Sequence, residues 1–195
     1  MGSLYFEKSC AVAPVRASTT TALAPTVQAN LAVTYGYLGR HERSLQIERD
    51  VYAGRLKLHG EENGATLSAA NNYADSLVQI KRFEEARSVL RKMIRVARRV
   101  LGEGHELTLK VRWNYAGALY KDPSATLDDL REAVRTLEEI ERTARRVLGA
   151  SHPIVVRIRR DLKKSRVANK AWYSSKALVV LFAVAVVAWL WRFLT

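Results

Sequence analysis

The chain has a single cysteine, Cys10, among its 195 residues, so it can form no internal disulfide and offers no thiolate spacing for a metal. That composition fits a reducing compartment. Proline occurs four times only, at positions 14, 25, 123 and 153. The long periodic stretches between them are therefore proline-free, which favours helices. No continuous apolar run follows Met1, so no secretory leader is visible. Met1-Gly2 opens like a myristoylation signal, but Phe6 stands where that motif wants Ser or Thr. The Ser/Thr/Ala-rich start with Lys8 and Arg16 resembles a mitochondrial presequence only faintly, because it is short of arginine and contains Glu7. Residues 1–23 are read as a disordered segment. The histidines, His41, His59, His105 and His152, are scattered. No zinc-protease helix, glycine-rich phosphate loop or Ser-His-Asp pattern accompanies them. Neither an enzyme, a cofactor nor a metal site is expected.

What the chain does have is positive charge, length enough for a real core, and repetition. The formal net charge is +13. Between Arg157 and Lys176 lie eight basic residues against Asp161 alone, so more than half of the excess sits in one short stretch. A basic cluster suits nucleic acid or an anionic membrane surface. Directly after it comes KALVVLFAVAVVAWLWRFLT, in which Ala177 to Trp191 are 15 apolar residues in a row.

Repetition appears as N-φ-A at Asn30-Leu31-Ala32, Asn72-Tyr73-Ala74 and Asn114-Tyr115-Ala116, at a step of 42 residues. Thr66 and Thr108 share that step, as do Gly60 and Gly102. Gly149 follows after 47, the five extra residues falling in KDPSATLDD beside Pro123. ARRVLG recurs verbatim at 97–102 and 144–149. Each unit reads as two helices. Leu67, Ala70, Tyr73, Ala74, Leu77 and Ile80 form one apolar stripe at spacings of three and four. After the turn KRF, the second helix opens on Glu84-Glu85 and closes on Arg98-Arg99, the order that suits its dipole, and Gly102 stops it. The same grammar predicts helices near 25–38, 42–58, 106–120 and 126–147. A last helix opens at His152-Pro153, with Asp161 where the repeat wants Asn.

NLAVTYGYLGRHERSL, NNYADSLVQIKRFEEARSVL and LGEGHELTLKVRWNYAGALY resemble the tetratricopeptide repeat (TPR) family in its 42-residue, kinesin-light-chain-like form. Ala74 with Ala86, and Ala116 with Ala133, match the small residues at which that family's paired helices cross; Ala32 matches and Ser44 departs slightly. The loop LGASHP at 148–153 also matches and weakens to LGEGHE and HGEENG upstream. The resemblance implies an all-α fold: a right-handed superhelical solenoid over 24–170, with repeats near 24–60, 66–102 and 108–149 and a polar cap at 153–170. It also implies peptide binding on the concave face formed by the first helix of each pair. Carried over by position, the groove candidates are Val33 and Tyr37, then Ser68, Asn71, Asp75 and Gln79, then Lys110, Trp113, Gly117 and Lys121. Lys110 and Lys121 flanking Trp113 would suit proteins or peptides with acidic side chains or a C-terminal carboxylate. The alternative is that Trp113 packs against the cap and the lysines are solvated. The Asn30, Asn72 and Asn114 series has two readings as well, clamping an extended ligand or bonding a neighbouring helix. Arg91, Lys92, Arg95, Arg98 and Arg99 would lie on the convex side. Without interleaved aromatics they read as a solvated face, and nucleic acid is not the expected partner.

The tail of 174–194 is apolar all round, which places a helix either at the centre of a fold or in lipid. Behind a polar cap it has no central place, so a transmembrane tail anchor is expected. Fifteen residues cover about 22 Å of a roughly 30 Å hydrocarbon core. Lys176 and Arg192 can snorkel to extend the reach, and Trp172, Tyr173, Trp189 and Trp191 sit where interfacial aromatics belong. The basic flank predicts a single-pass protein with its N-terminal domain in the cytosol, inserted after synthesis. Its shortness favours a thin membrane, that of the endoplasmic reticulum or the mitochondrial outer membrane. The alternative is a soluble repeat module with a self-associating tail.

Overall fold

Helix boundaries in this chain follow from where glycine recurs and where a side chain can cap. In the computed structural model, which describes the backbone of residues 25–194 and the side chains of 27–174, seven helices succeed one another. They are α1 (Pro25–Tyr37), α2 (His41–His59), α3 (Gly64–Gln79), α4 (Phe83–Leu101), α5 (Glu106–Tyr120), α6 (Leu127–Leu148) and α7 (Pro153–Leu194). The segment expected to be disordered, 1–23, lies outside the described residues. Gly60, Gly102 and Gly149 follow the second helix of each pair with φ of 75°, 86° and 89°, a region closed to most side chains. The turn inside the first pair uses Gly39 at φ 72°; one repeat later Lys81 occupies that place at φ 66°. A left-handed lysine costs about 1 kcal/mol. Asn63, His105 and His152 hold equivalent positions at three helix starts. Each accepts a backbone N–H two residues on, at 2.8, 3.2 and 3.3 Å. The two histidines are thus structural caps.

Consecutive helices pack on each other as α1–α2, α3–α4 and α5–α6, and α7 is the first helix of a fourth unit. The first helices α3, α5 and α7 also touch one another. Small residues permit this closeness. Ala32, Ala74, Ala86, Ala116 and Ala133 are fully buried. Ser44 is small enough too, and its hydroxyl donates to the Ala32 carbonyl at 2.8 Å. Thr66 and Thr108 tie each first helix to the preceding second helix, donating to the carbonyls of Arg55 at 3.2 Å and Ala97 at 3.3 Å. The five-residue insertion is pinned by buried Asp122. It accepts from Arg87 at 2.8 Å and from the Ser124 N–H and hydroxyl at 2.8 and 2.6 Å. A Thr126–Asp129 capping box then starts α6.

The expected cap at 153–170 and anchor at 174–194 are a single helix. After Pro153 the chain contains neither glycine nor proline, so nothing in the sequence ends it. Its inner side is apolar, burying Ile154, Val155, Ile158 and Leu162. Arg159–Glu141 at 2.8 Å, Arg166–Glu138 at 2.7 Å and Tyr173–Arg131 at 2.5 Å then bind it to α6, running in opposite directions. Lys176 and Arg192 have side chains outside the described residues. Among the described residues no helix is long and apolar enough to cross a membrane.

One buried carboxylate marks the first inter-repeat contact. Glu48 on α2 is 7% exposed and accepts a hydrogen bond from Ser76 on α3. Burial pushes its pKa from 4.5 to about 7; the Ser76 bond opposes this and the nearby Asp75 charge adds to it. A folded-state pKa above the unfolded value means that the folded state holds the proton more tightly. Stability from this group is therefore fully present below pH 4.5 and is lost as pH rises through about 7. Urea midpoints should rise between pH 8 and pH 5.5, by on the order of 2 kcal/mol in stability. Glu48→Gln should flatten that rise, and an equal rise in the variant would assign it to other groups.

Candidate functional site

The first helices α3, α5 and α7 line a groove of about 380 Å³. Sequence position brought ten candidates to this face, and the structure gathers Asn71, Asp75, Lys110, Trp113, Gly117 and Lys121 around the one cavity. Gln79 stands one step outside it, donating to Asp75 at 2.9 Å. Ser68 is half-buried, and Val33 and Tyr37 are exposed on α1; none of the three lines the cavity. Arg157, Arg160 and Lys164 from α7 complete the wall. Their sequence signal is the 47-residue step that carries Lys110, Trp113 and Gly117 onto them. It was masked by their membership of the basic stretch before the apolar tail.

The floor is a ladder of side-chain hydrogen bonds between successive first helices. Asn114 on α5 donates its amide to Asn71 on α3 at 3.0 Å. One repeat on, Trp113 donates its indole N–H to Asp161 on α7 at 2.9 Å. Position for position these are the same rung, since Trp113 follows Asn71 by 42 and Asp161 follows Asn114 by 47. Indole has a donor and no acceptor, so the opposite residue must accept. Asp161, in the place of Asn, supplies that acceptor. At Asn72 the residue across the rung would be Ala29, which has no polar side chain to meet it. Asn114 therefore joins the stacking of α5 on α3, and it lines the cavity together with Asn72.

Electrostatically the groove carries five cations, Lys110, Lys121, Arg157, Arg160 and Lys164, against Asp75 and Asp161. Asp161 is already bonded to Trp113. Lys110 pairs with Glu106 on its own helix at 2.6 Å, and Glu106 is held below the usual carboxylate range by that bond. The Arg157 guanidinium lies over the Trp113 ring, 4.7 Å from its centroid. Trp113 thus packs against α7 and forms groove wall at once. Burial pushes the Tyr120 hydroxyl well above its ordinary pKa, with the Asp161 charge beside it adding to the shift. On the convex side Arg98 pairs with Glu103 at 2.7 Å, Arg99 with Glu62 at 2.5 Å, and Arg91 donates to Tyr115 at 3.1 Å. Among the described residues no His, Cys, Asp and Glu cluster could hold a metal ion.

Stacked helix pairs with a groove along their first helices define a helical-repeat solenoid. Residues 26–63 and 66–106 match the Tetratricopeptide repeat family, and the chain carries TPR repeats. These repeats imply protein–protein interaction in general. The fold is similar to solved structures of a Podosopora anserina protein assigned as a kinesin light chain, with nearly identical TPR-like repeats. At 21% identity the TM-score is 0.67, over 75% of this chain and 69% of that one. A single-substitution variant of the same protein gives 0.67 over 74% and 66%. BtubC (BKLC) from P. vanneervenii is 18% identical with a TM-score of 0.50, over 80% and 64%. The chain thus spans about two thirds of the length of these proteins. No curated protein matches it.

Trp113→Phe keeps an aromatic side chain, smaller than indole, and removes the donor, leaving the buried Asp161 carboxylate short of a partner. A loss of about 1–3 kcal/mol in urea-unfolding stability is expected. An unchanged midpoint would mean that the indole N–H does not hold α5 to α7.

Proposed function

We propose that this chain is a TPR adaptor that captures an acidic peptide, or one ending in a free carboxylate, in the groove of α3, α5 and α7. The observation that carries this reading is the excess of cations around Trp113, on the face that first helices share. Lys121, Arg160 and Lys164 are exposed, so they are accessible to the carboxylates of a bound peptide. The Trp113 ring offers an apolar anchor beside them. Lys110→Glu with Lys121→Glu should lower affinity for an immobilised acidic peptide at least tenfold, measured by fluorescence polarisation. Equal affinity in the variant would sink the carboxylate preference.

The second part of the proposal is a membrane tether made by 174–194. Its support is sequence: fifteen uninterrupted apolar residues behind a strongly basic flank, flanked by Lys176 and Arg192. The short span suits the endoplasmic reticulum or the mitochondrial outer membrane, with the repeats in the cytosol. Tethering would raise the effective concentration of the groove at that surface. Alkaline carbonate should leave the full chain in the membrane pellet and release a chain truncated at Ser175. Release of both would remove the anchor.

A further inference from the structure

Each first helix inside the array has a side that the preceding pair covers. On α3 that side is Ala69, Tyr73 and Ser76, continued by Ile80 just past its end. Tyr73 stacks on Tyr52 of α2 with centroids 6.1 Å apart, Ser76 bonds Glu48, and Ala69 joins the cluster of Ala32, Tyr35, Ile47 and Val51. On α5 the equivalent positions are Val111, Tyr115, Ala118 and Asp122; Tyr115 meets Arg91 and Asp122 meets Arg87, both on α4. One repeat earlier the same four positions are Val27, Leu31, Thr34 and Leu38. Val27 is 50% exposed and Leu38 65%, whereas Ala69 and Val111 are 3% and 0% exposed. Among the described residues the first pair therefore presents a stacking face of the same register, with Val27, Thr34 and Leu38 exposed and Leu31 half-buried against the Ala32 cluster.

What fits this face is set by charge. From Pro25 to Gly39 there is no charged residue, in a chain of net charge +13. Two copies approaching elsewhere bring like charges together. At the opposite end, α7 exposes Lys163 and Lys170 among Val156 and Val167, while Arg166 is held by Glu138 of α6; the cations interrupt that surface and make it a poor match for an apolar stripe. An end-to-end chain of copies is therefore disfavoured, and a closed pair is not. We propose that the outer face of α1 is a homodimer interface, two copies stacking α1 on α1 about a two-fold axis. Such an interface is self-complementary. Because the stripe is centred between Leu31 and Thr34, antiparallel helices set Leu31 opposite Thr34 of the other copy, and bring Val27 near Leu38 of the other copy, in the turn that follows α1. The contact continues across two chains the packing that the repeats already use within one.

Cysteine crosslinking of the full chain tests this directly, because Cys10 is the only native thiol. In a Cys10→Ser background, Thr34→Cys lies beside the two-fold axis and should give a disulfide-linked dimer under mild oxidation. Arg95→Cys, exposed on α4, should give at least tenfold less. Adding Val27→Glu and Leu38→Glu should cut the Thr34→Cys crosslink at least tenfold. Absence of that dimer, or equal crosslinking at positions 34 and 95, would overturn the proposal; the second result would point to association through the tail. With Cys10 retained, an intramolecular bond from Cys10 to the introduced thiol, at the expense of dimer, would assign the face to the chain's own N-terminal segment and overturn it as well.

Discussion

Everything in this fold depends on helices being allowed to come close at one level of each repeat. Ala32, Ala74 and Ala116 recur every 42 residues and are fully buried. A side chain that ends at Cβ lets the neighbouring axes approach, and the gain is dispersion contact along the whole crossing. Ser44 illustrates how tight the approach is, since a hydroxyl one atom longer than a methyl already reaches a backbone carbonyl on the next helix. A larger residue at this level would separate the pair and also shift every later unit, because each repeat is positioned only by its neighbours. The threonine ties at Thr66 and Thr108, and the caps at Asn63, His105 and His152, then fix rotation and start points within that spacing.

The second organising feature is the way charge is distributed between shared and open faces. Acidic side chains of α6 are used in pairing: Glu138 and Glu141 hold α7, and Glu139, together with Glu103 from the α4–α5 connection, holds the buried Arg112. The cations of α7 that turn into the groove meet few carboxylates, and one of those, Asp161, is bound to Trp113. Field therefore accumulates along the concave side, where low-dielectric walls strengthen it. The same ladder that stacks the helices leaves an indole ring and an arginine over it at the groove wall. At the other end of the described array lies α1, which carries no charged residue.

Much of this was legible before any coordinates. Repetition of N-φ-A gave the pair boundaries to within a residue or two, because apolar periodicity and glycine stops are local properties. Six of the ten positional groove candidates do meet in one cavity. Three groove cations were missed for a physical reason: Arg157, Arg160 and Lys164 belong equally to a helix face and to a run of basic residues, and composition cannot divide the two. The rung between Trp113 and Asp161 was invisible as well, since it joins residues 48 apart whose pairing exists only once the helices stack.

By itself the sequence determined the all-α repeat, its period, its small-residue levels and the absence of any stop after Pro153, all of which follow from local steric preference and spacing. Only the tertiary structure decided which polar groups face each other. It gave Asn114 a stacking bond to Asn71 within a groove lining that Asn72 shares, and among the described residues it left the equivalent of a buried stripe open on the first pair. Those outcomes depend on which neighbour occupies each face, and a neighbour is a property of the assembled stack.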